Sequence, residues 1–243
     1  MKYDWGTFEL GEITEWYSGG TPAVENPLYW GGEIPWVSAA SMKGNRYYSS
    51  DRTITKAGLR YGSRLAEVNT ILLPVRGNIL HKRVPVGIVT APLAFNQDVK
   101  AIITKKLIDP WFLLYWLIGH EQELLNLVSF TGIGPGKLDI GMLQKLRIHL
   151  PPLSEQVKIA NFFKLIDDKI ESNLKVNDTL EEIVQALFNS WFVDFDIVKD
   201  KAMGKQLKGM NKTIASLLPN SFVDSELGVI PKGWEICNIG ELI

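Results

Sequence analysis

The sequence predicts an α+β protein, in which a mixed globular domain is followed by one long α-helix that pairs with another helix. Two observations carry this. Over residues 1–150, short β-branched runs alternate with turn signals and a couple of helix-length stretches, as expected for a mixed domain of about 150 residues. After Pro151-Pro152 the chain then runs to Trp191-Phe192 with no further proline and no glycine. Its apolar residues return there at four- and three-residue steps.

Taken in order, residues 1–33 read as a short strand or turn followed by a loop, with Trp5, Phe8, Leu10 and Ile13 as core candidates. Ser18-Gly19-Gly20-Thr21-Pro22 is a strong turn signal. Residues 34–38 read as a short strand leading into Met42 to Tyr48, an acid-free loop of basic and aromatic residues. Arg52, Lys56, Arg60 and Arg64 fall four apart and share a face if 53–66 is a short helix, against which Gly58 and Gly62 count. Residues 70–73 and 84–89 are β-branched strands bounded by Pro74 and Pro92, with a cationic loop over 76–83 between them. Phe95 to Asp98 precedes a strand over 99–103. Pro110 starts an apolar helix over 111–127, residues 131–137 form a loop, and 146–150 are a last strand.

The long helix opens with Ser154 as N-cap and Glu155 at the positive end of the dipole. Its seam is Ile159, Phe163, Ile166, Ile170, Asn173, Asn177, Leu180, Val184, Leu187 and Trp191. That is a 3.5-residue repeat, the pattern of a helix packed along its length on another helix. At about 1.5 Å per residue, roughly 39 residues make a rod of about 60 Å, too long to lie inside a compact domain. Two seam asparagines suit a helical partner, because a buried amide fixes register at some cost in stability. The domain map is therefore 1–150 globular, 151–195 spacer helix, 196–230 connector and 231–243 the start of a second domain. The last assignment rests on an internal echo: Trp234, Ile239, Gly240, Glu241 and Leu242 repeat Trp5, Leu10, Gly11, Glu12 and Ile13 at identical spacing.

A single cysteine, Cys237, excludes an internal disulfide and any multi-cysteine metal site. The N-terminus has no apolar leader and the longest apolar run, 111–118, is too short for a bilayer, so a cytoplasmic protein is expected. The net charge of −1 hides strong segregation. Between Ile34 and Gln97 the only acids are Asp51 and Glu67, against nine Lys and Arg, whereas residues 151–196 carry nine acids and four lysines. One surface is thus built for an anionic partner and another is kept away from it.

Enzyme-like fragments do not hold up. Asn26-Pro27-Leu28-Tyr29 lacks the second proline of the amine-holding Asn-Pro-Pro-Tyr, and a turn accounts for it better. Around Gly136-Lys137, Thr131 and Leu138 stand where a phosphate loop needs a glycine and a hydroxyl. His81, His120 and His149 lack metal-ligand spacing, and no cluster of carboxylates is evident. No cofactor and no metal are expected. Binding remains: acid-free loops of Arg, Lys, Asn, Gln and aromatics are what duplex DNA requires, for phosphates and for base edges. The candidates are Lys43, Asn45, Arg46, Arg76, Asn78, His81, Lys82, Arg83 and Lys137, with Gln97 read as a buried structural amide.

With these features assembled, the chain resembles the specificity subunit of type I restriction-modification systems. The residues that carry the resemblance are Trp5 to Glu12, Ser18 to Pro22, Ile34-Pro35-Trp36, Asn96-Gln97-Asp98, Pro151 to Gln156 with Ile159-Ala160, and Leu187 to Phe192. The resemblance implies a non-catalytic target-recognition domain that reads one half of a split site in double-stranded DNA. It also implies a helix that acts as a ruler and docks methyltransferase subunits, in a complex that includes restriction subunits. Family members carry two domains and two antiparallel helices; this chain has one of each and the start of a second domain. An exposed apolar seam needs a cover, so a homodimer through the helix is expected, its two heads reading an inverted repeat. The alternative is a coiled-coil scaffold with a protein-binding head.

Overall fold

The computed structural model describes residues 5–130, 134–205 and 211–241 and falls into two compact units, Met1–Ile166 and Asp167–Ile243. The first begins with β1 (Gly6–Glu9), the short helix α1 (Leu10–Ile13) and β2 (Thr14–Ser18), so the segment read as strand and loop is three elements. Leu10 and Ile13 are buried, and Glu12 reaches back to the Glu9 backbone N–H at 2.9 Å. β3 (Trp30–Val37) extends the expected strand backwards, and β4 (Arg46–Tyr47) and β5 (Thr53–Ile54) follow. The helix expected over 53–66 is only α2 (Lys56–Gly62), capped by the Thr55 hydroxyl, which accepts from Gly58 N–H at 3.1 Å. Arg52 precedes it and Arg64 lies in β6 (Arg64–Ala66), so the four basic residues do not share a helix face.

β7 (Ile71–Pro74) and β8 (Arg76–Gly77) come next, then β9 (Gly87–Val89), shorter than the 84–89 run suggests, β10 (Leu93–Phe95) and β11 (Val99–Thr104). The helix expected over 111–127 is two, α3 (Pro110–Gly119) and α4 (Glu121–Asn126). His120 breaks it, stacking on Trp116 at 4.0 Å between ring centroids. β12 (Val128–Ser129), β13 (Gly136–Leu138), α5 (Ile140–Gln144) and β14 (Arg147–Leu150) lead to α6 (Leu153–Phe188).

The strands form a five-stranded sheet β2-β11-β7-β9-β4, a four-stranded sheet β5-β3-β10-β6, a three-stranded sheet β12-β13-β8 and the pair β1-β14. All pairings are antiparallel except β3 with β10 and β4 with β9. The main core lies between the five-stranded sheet, α3 and α5, through Ile71, Leu73, Ile102, Leu113, Leu117 and Leu143. Two of the sequence's glycines owe their place to close backbone approach rather than to turns. A Cβ on Gly20 would stand 2.5 Å from the Gly62 carbonyl oxygen, and a Cβ on Gly62 would stand 2.4 Å from Pro22 Cα. The clash is with backbone, so Gly62→Ala should cost about 2 kcal/mol, seen as a lower denaturation midpoint in urea.

α6 starts at Leu153, one residue ahead of the expected cap: Ser154 lies inside the helix, and the Pro152 carbonyl accepts from Glu155 and Gln156 N–H at 2.8 and 3.1 Å. Gln156 is buried. Its Oε1 accepts from Asp109 N–H at 2.9 Å, and its Nε2 donates to the Leu107 and Pro151 carbonyls at 3.1 and 2.9 Å. Gln97, by contrast, is exposed and accepts from Thr21 Oγ1 at 2.6 Å, so the buried amide of that motif is Asn96.

In the second unit α6 ends in a π-helical turn, Asn189–Val193, followed by α7 (Asp196–Ala202), α8 (Lys212–Leu217) and the hairpin β15 (Phe222–Ser225) and β16 (Gly228–Pro231). Trp234 stacks on Phe192 and meets Phe195 edge-on, with centroids 6.3 and 5.4 Å away. Glu241 reaches back to the Asn238 N–H at 3.3 Å, the counterpart of the Glu12 contact to Glu9. Leu242, the last residue of the internal echo, lies outside the described residues. No helix among the described residues is long and apolar enough to cross a membrane.

Candidate nucleic-acid interface

The cationic loops come together through strands of two or three residues. β8 pairs antiparallel with β13, setting Arg76 opposite Lys137 and Gly77 opposite Gly136. β12 takes the other edge of β13, with Ser129 opposite Lys137. Directly paired residues share a sheet face, so Arg76, Lys137 and Ser129 make one row, and all three are exposed. Like charges set opposite each other repel. Among the described residues none of Lys43, Arg76, Lys82, Arg83 and Lys137 pairs with a carboxylate.

Beyond β8 the chain turns sharply. Gly77 has φ 152° and ψ 163°, backbone space open essentially to glycine alone. It leads into the 3-10 turn Asn78–His81, which Leu80 anchors in the core. Asn78, Lys82 and Arg83 are exposed around this turn. The backbone N–H groups of Lys82 and Arg83 both donate to the Ile79 carbonyl at 3.0 Å, and Val84 N–H donates to the Glu121 carboxylate at 2.9 Å. His81 is a brace: its ring stacks on Phe130 at 4.5 Å and its Nε2 lies 3.0 Å from the Gly134 carbonyl. Thr131 to Ile133, in the middle of that loop, lie outside the described residues.

The 42–48 loop stands alongside. The turn Ala39–Ser41 touches both β8 and the turn Asn78–His81. Burial pushes the Tyr47 phenol well above its ordinary pKa, against the pull of the Arg83 guanidinium, so it stays protonated and donates to the Gly44 carbonyl at 3.2 Å. Lys43 is left exposed on the rim of a recess of about 280 Å³ lined also by Arg46, Tyr48, Ser49 and Asp51. Asn45 is half-buried and its carbonyl accepts from Ile88 N–H at 2.9 Å. Arg46 turns toward α6. Its Nη2 donates to the Lys164 carbonyl at 3.3 Å and its guanidinium lies 5.4 Å from the Trp111 ring centre.

Of the other basic residues, Arg52 lies over Trp30 and Trp36 at 4.0 and 5.0 Å, and Arg64 over Tyr17 at 5.2 Å. Ser129 and Phe130 were not singled out by sequence reasoning. Only the pairing of β12 with β13 and the stack on His81 bring them to this surface.

Along α6, Ile159 packs on the core of the first unit and Phe163 meets Tyr115 at 5.2 Å. From Ile166 through Ile170, Asn173, Asn177, Leu180, Val184 and Leu187 the seam residues are exposed, and Trp191 is half-buried. The helix thus presents an apolar stripe broken by two amides.

The family model for the type I restriction modification DNA specificity domain matches residues 2–182. The MjaIX specificity subunit of Methanocaldococcus jannaschii, a type I restriction enzyme subunit, is 32% identical over 246 residues, which cover 99% of this chain and 52% of that protein. The HindI specificity subunit of Haemophilus influenzae is 42% identical over 96 residues, 38% of this chain and 21% of that one. In fold, the crystal structure of the type I restriction-modification system S subunit from M. genitalium is similar, with a TM-score of 0.57 at 18% identity over 84% of this chain and 51% of that chain. The chain spans about half the length of the curated relatives that it matches over 99% of its own length.

Proposed function

Because the chain belongs to the type I restriction modification DNA specificity family, we propose that it is the non-catalytic, sequence-reading part of a restriction-modification complex. Its first unit reads one half of a bipartite site in double-stranded DNA. The observation that carries this reading is the exposed row in which Arg76 faces Lys137 across β8 and β13, neither of them paired with a carboxylate among the described residues, beside Lys82, Arg83 and Lys43. A fold that sets two cations opposite each other loses stability unless an anion meets them, and a phosphate backbone supplies closely spaced anions. Asn78 and the exposed Arg side chains then have the donors and acceptors that base edges require. Selection of duplexes from a random pool tests it: a recurring motif, bound with an affinity that falls steeply as salt rises, is expected. A pool with no motif and no dependence on salt would sink it.

The exposed stripe of α6 supports a helical partner. In this reading it is a second copy of the chain, packed antiparallel so that Asn173 and Asn177 meet at the two-fold axis, and methyltransferase subunits dock on the same helix. The selected motif should then recur as an inverted repeat. I170D/L180D, which sets carboxylates on the stripe, should sediment as a monomer at micromolar concentration where the unaltered chain sediments as a dimer.

A further inference from the structure

We infer that Arg46 is a positioning residue that ties the 42–48 loop to the long helix, so that the loop and the first turns of α6 move as one body. The inference rests on the reading above only in taking this loop to face DNA. Arg46 sits in β4 between the exposed Lys43 and the buried Tyr47, and the parallel pairing with β9 fixes its backbone, opposite Ile88. Its side chain lines the same recess as Lys43 and reaches α6. The Nη2–H donates to the backbone carbonyl of Lys164 at 3.3 Å, an acceptor whose second lone pair leaves the helix hydrogen bond intact. The guanidinium also lies over the Trp111 indole, the same ring that takes the Lys164 ammonium at 4.3 Å. The Trp111 backbone is held at the helix start, since the Asp109 carboxylate accepts its backbone N–H at 3.0 Å, and Gln156 of α6 accepts the Asp109 backbone N–H at 2.9 Å. Tyr115 against Phe163, at 5.2 Å, continues the seam one turn further.

The joint therefore runs from the loop to α6 both directly, at the Lys164 carbonyl, and through one indole that itself packs on the main core. Arginine suits it better than lysine, because one planar group both stacks on a ring and donates sideways. The consequence concerns spacing. A head that could rock on its helix would accept half-sites one base pair nearer or farther. With Arg46 in place, shifting the loop on the duplex must also displace α6.

The test uses the full chain with R46K and R46A, and with W111L, which breaks the same joint from its other side. Without DNA, amide exchange at Ile88 and Thr90, whose acceptors are the Asn45 and Tyr47 carbonyls, and in the first turns of α6 should quicken by roughly threefold or more in each variant. With selected duplexes, the preference for the selected spacer over spacers one base pair shorter or longer should fall from roughly tenfold to about twofold. The salt slope should stay unchanged in R46K and R46A. A salt slope reduced by about one in R46A with the spacer preference kept would make Arg46 a phosphate contact and overturn the inference. Unchanged exchange in all three variants would overturn it as well. If the unaltered chain selects no duplex, the DNA-reading proposal is what fails, and the exchange measurement still decides the joint.

Discussion

R76A/K82A/R83A should bind the selected duplex about a hundredfold more weakly than the unaltered chain at moderate salt, and its plot of log affinity against log salt should flatten by about 2.7. The three residues come from one strand end and the turn after it, and Lys137 stands directly opposite the first. Each neutralised phosphate contributes roughly 0.9 to the slope, so the slope counts contacts where affinity alone does not. Folding should be spared. Removing Arg76 takes a like charge away from Lys137, and Lys82 and Arg83 are exposed, so the thermal midpoint should hold or rise. R64A is the control: that guanidinium lies over Tyr17 at 5.2 Å, and the salt slope should not respond to its loss. A triple variant that binds as well as the parent would put the DNA on another face.

The elements with a long local signal could be read from the sequence. The 3.5-residue repeat with no glycine or proline marks α6, and the β-branched runs mark β7 and β11. What could not be read is what depends on pairing between distant segments. β8 and β12 are two residues each and β13 three, too short for any periodicity, yet they set Arg76, Lys137 and Ser129 in one row. Gly58 and Gly62 argue locally against a helix; α2 forms nonetheless, because glycine there admits the Tyr29 and Pro22 backbones. The cationic loops were visible as composition, whereas the direction of each side chain was not. Arg46 and Lys43 look alike in sequence, but one ends on α6 and the other in solvent. Likewise Asn96 and Gln97 are adjacent amides, and the turn after β10 buries the first and exposes the second.

Q156E should be among the most destabilising single changes in the first unit, costing about 4 kcal/mol and lowering the thermal midpoint by roughly 10 °C. The substitution is nearly isosteric, so packing does not explain the loss. Gln156 is 1% exposed, and its amide nitrogen donates to two carbonyls, Leu107 at 3.1 Å and Pro151 at 2.9 Å. Glutamate would aim a carboxylate oxygen at both. Burial next to acceptors disfavours the anion and raises the carboxyl's pKa in the folded state above its unfolded value. The sign follows: the deficit is smallest below about pH 4, where the acid is protonated in both states and can donate to one carbonyl. It then grows as pH rises through the unfolded pKa. Q156L, which leaves the Leu107 and Pro151 carbonyls and the Asp109 N–H unpaired but carries no charge, should lose about 3 kcal/mol with no added dependence on pH. The contrast separates the charge from the missing bonds. Because these bonds join the Leu107–Asp109 turn to the first turn of α6, their loss should also release the helix from the domain. Faster amide exchange at Asp109 and over the first turns of α6, appearing before the global melt, would register that release, and a melt unchanged in both variants would show that the helix is held elsewhere.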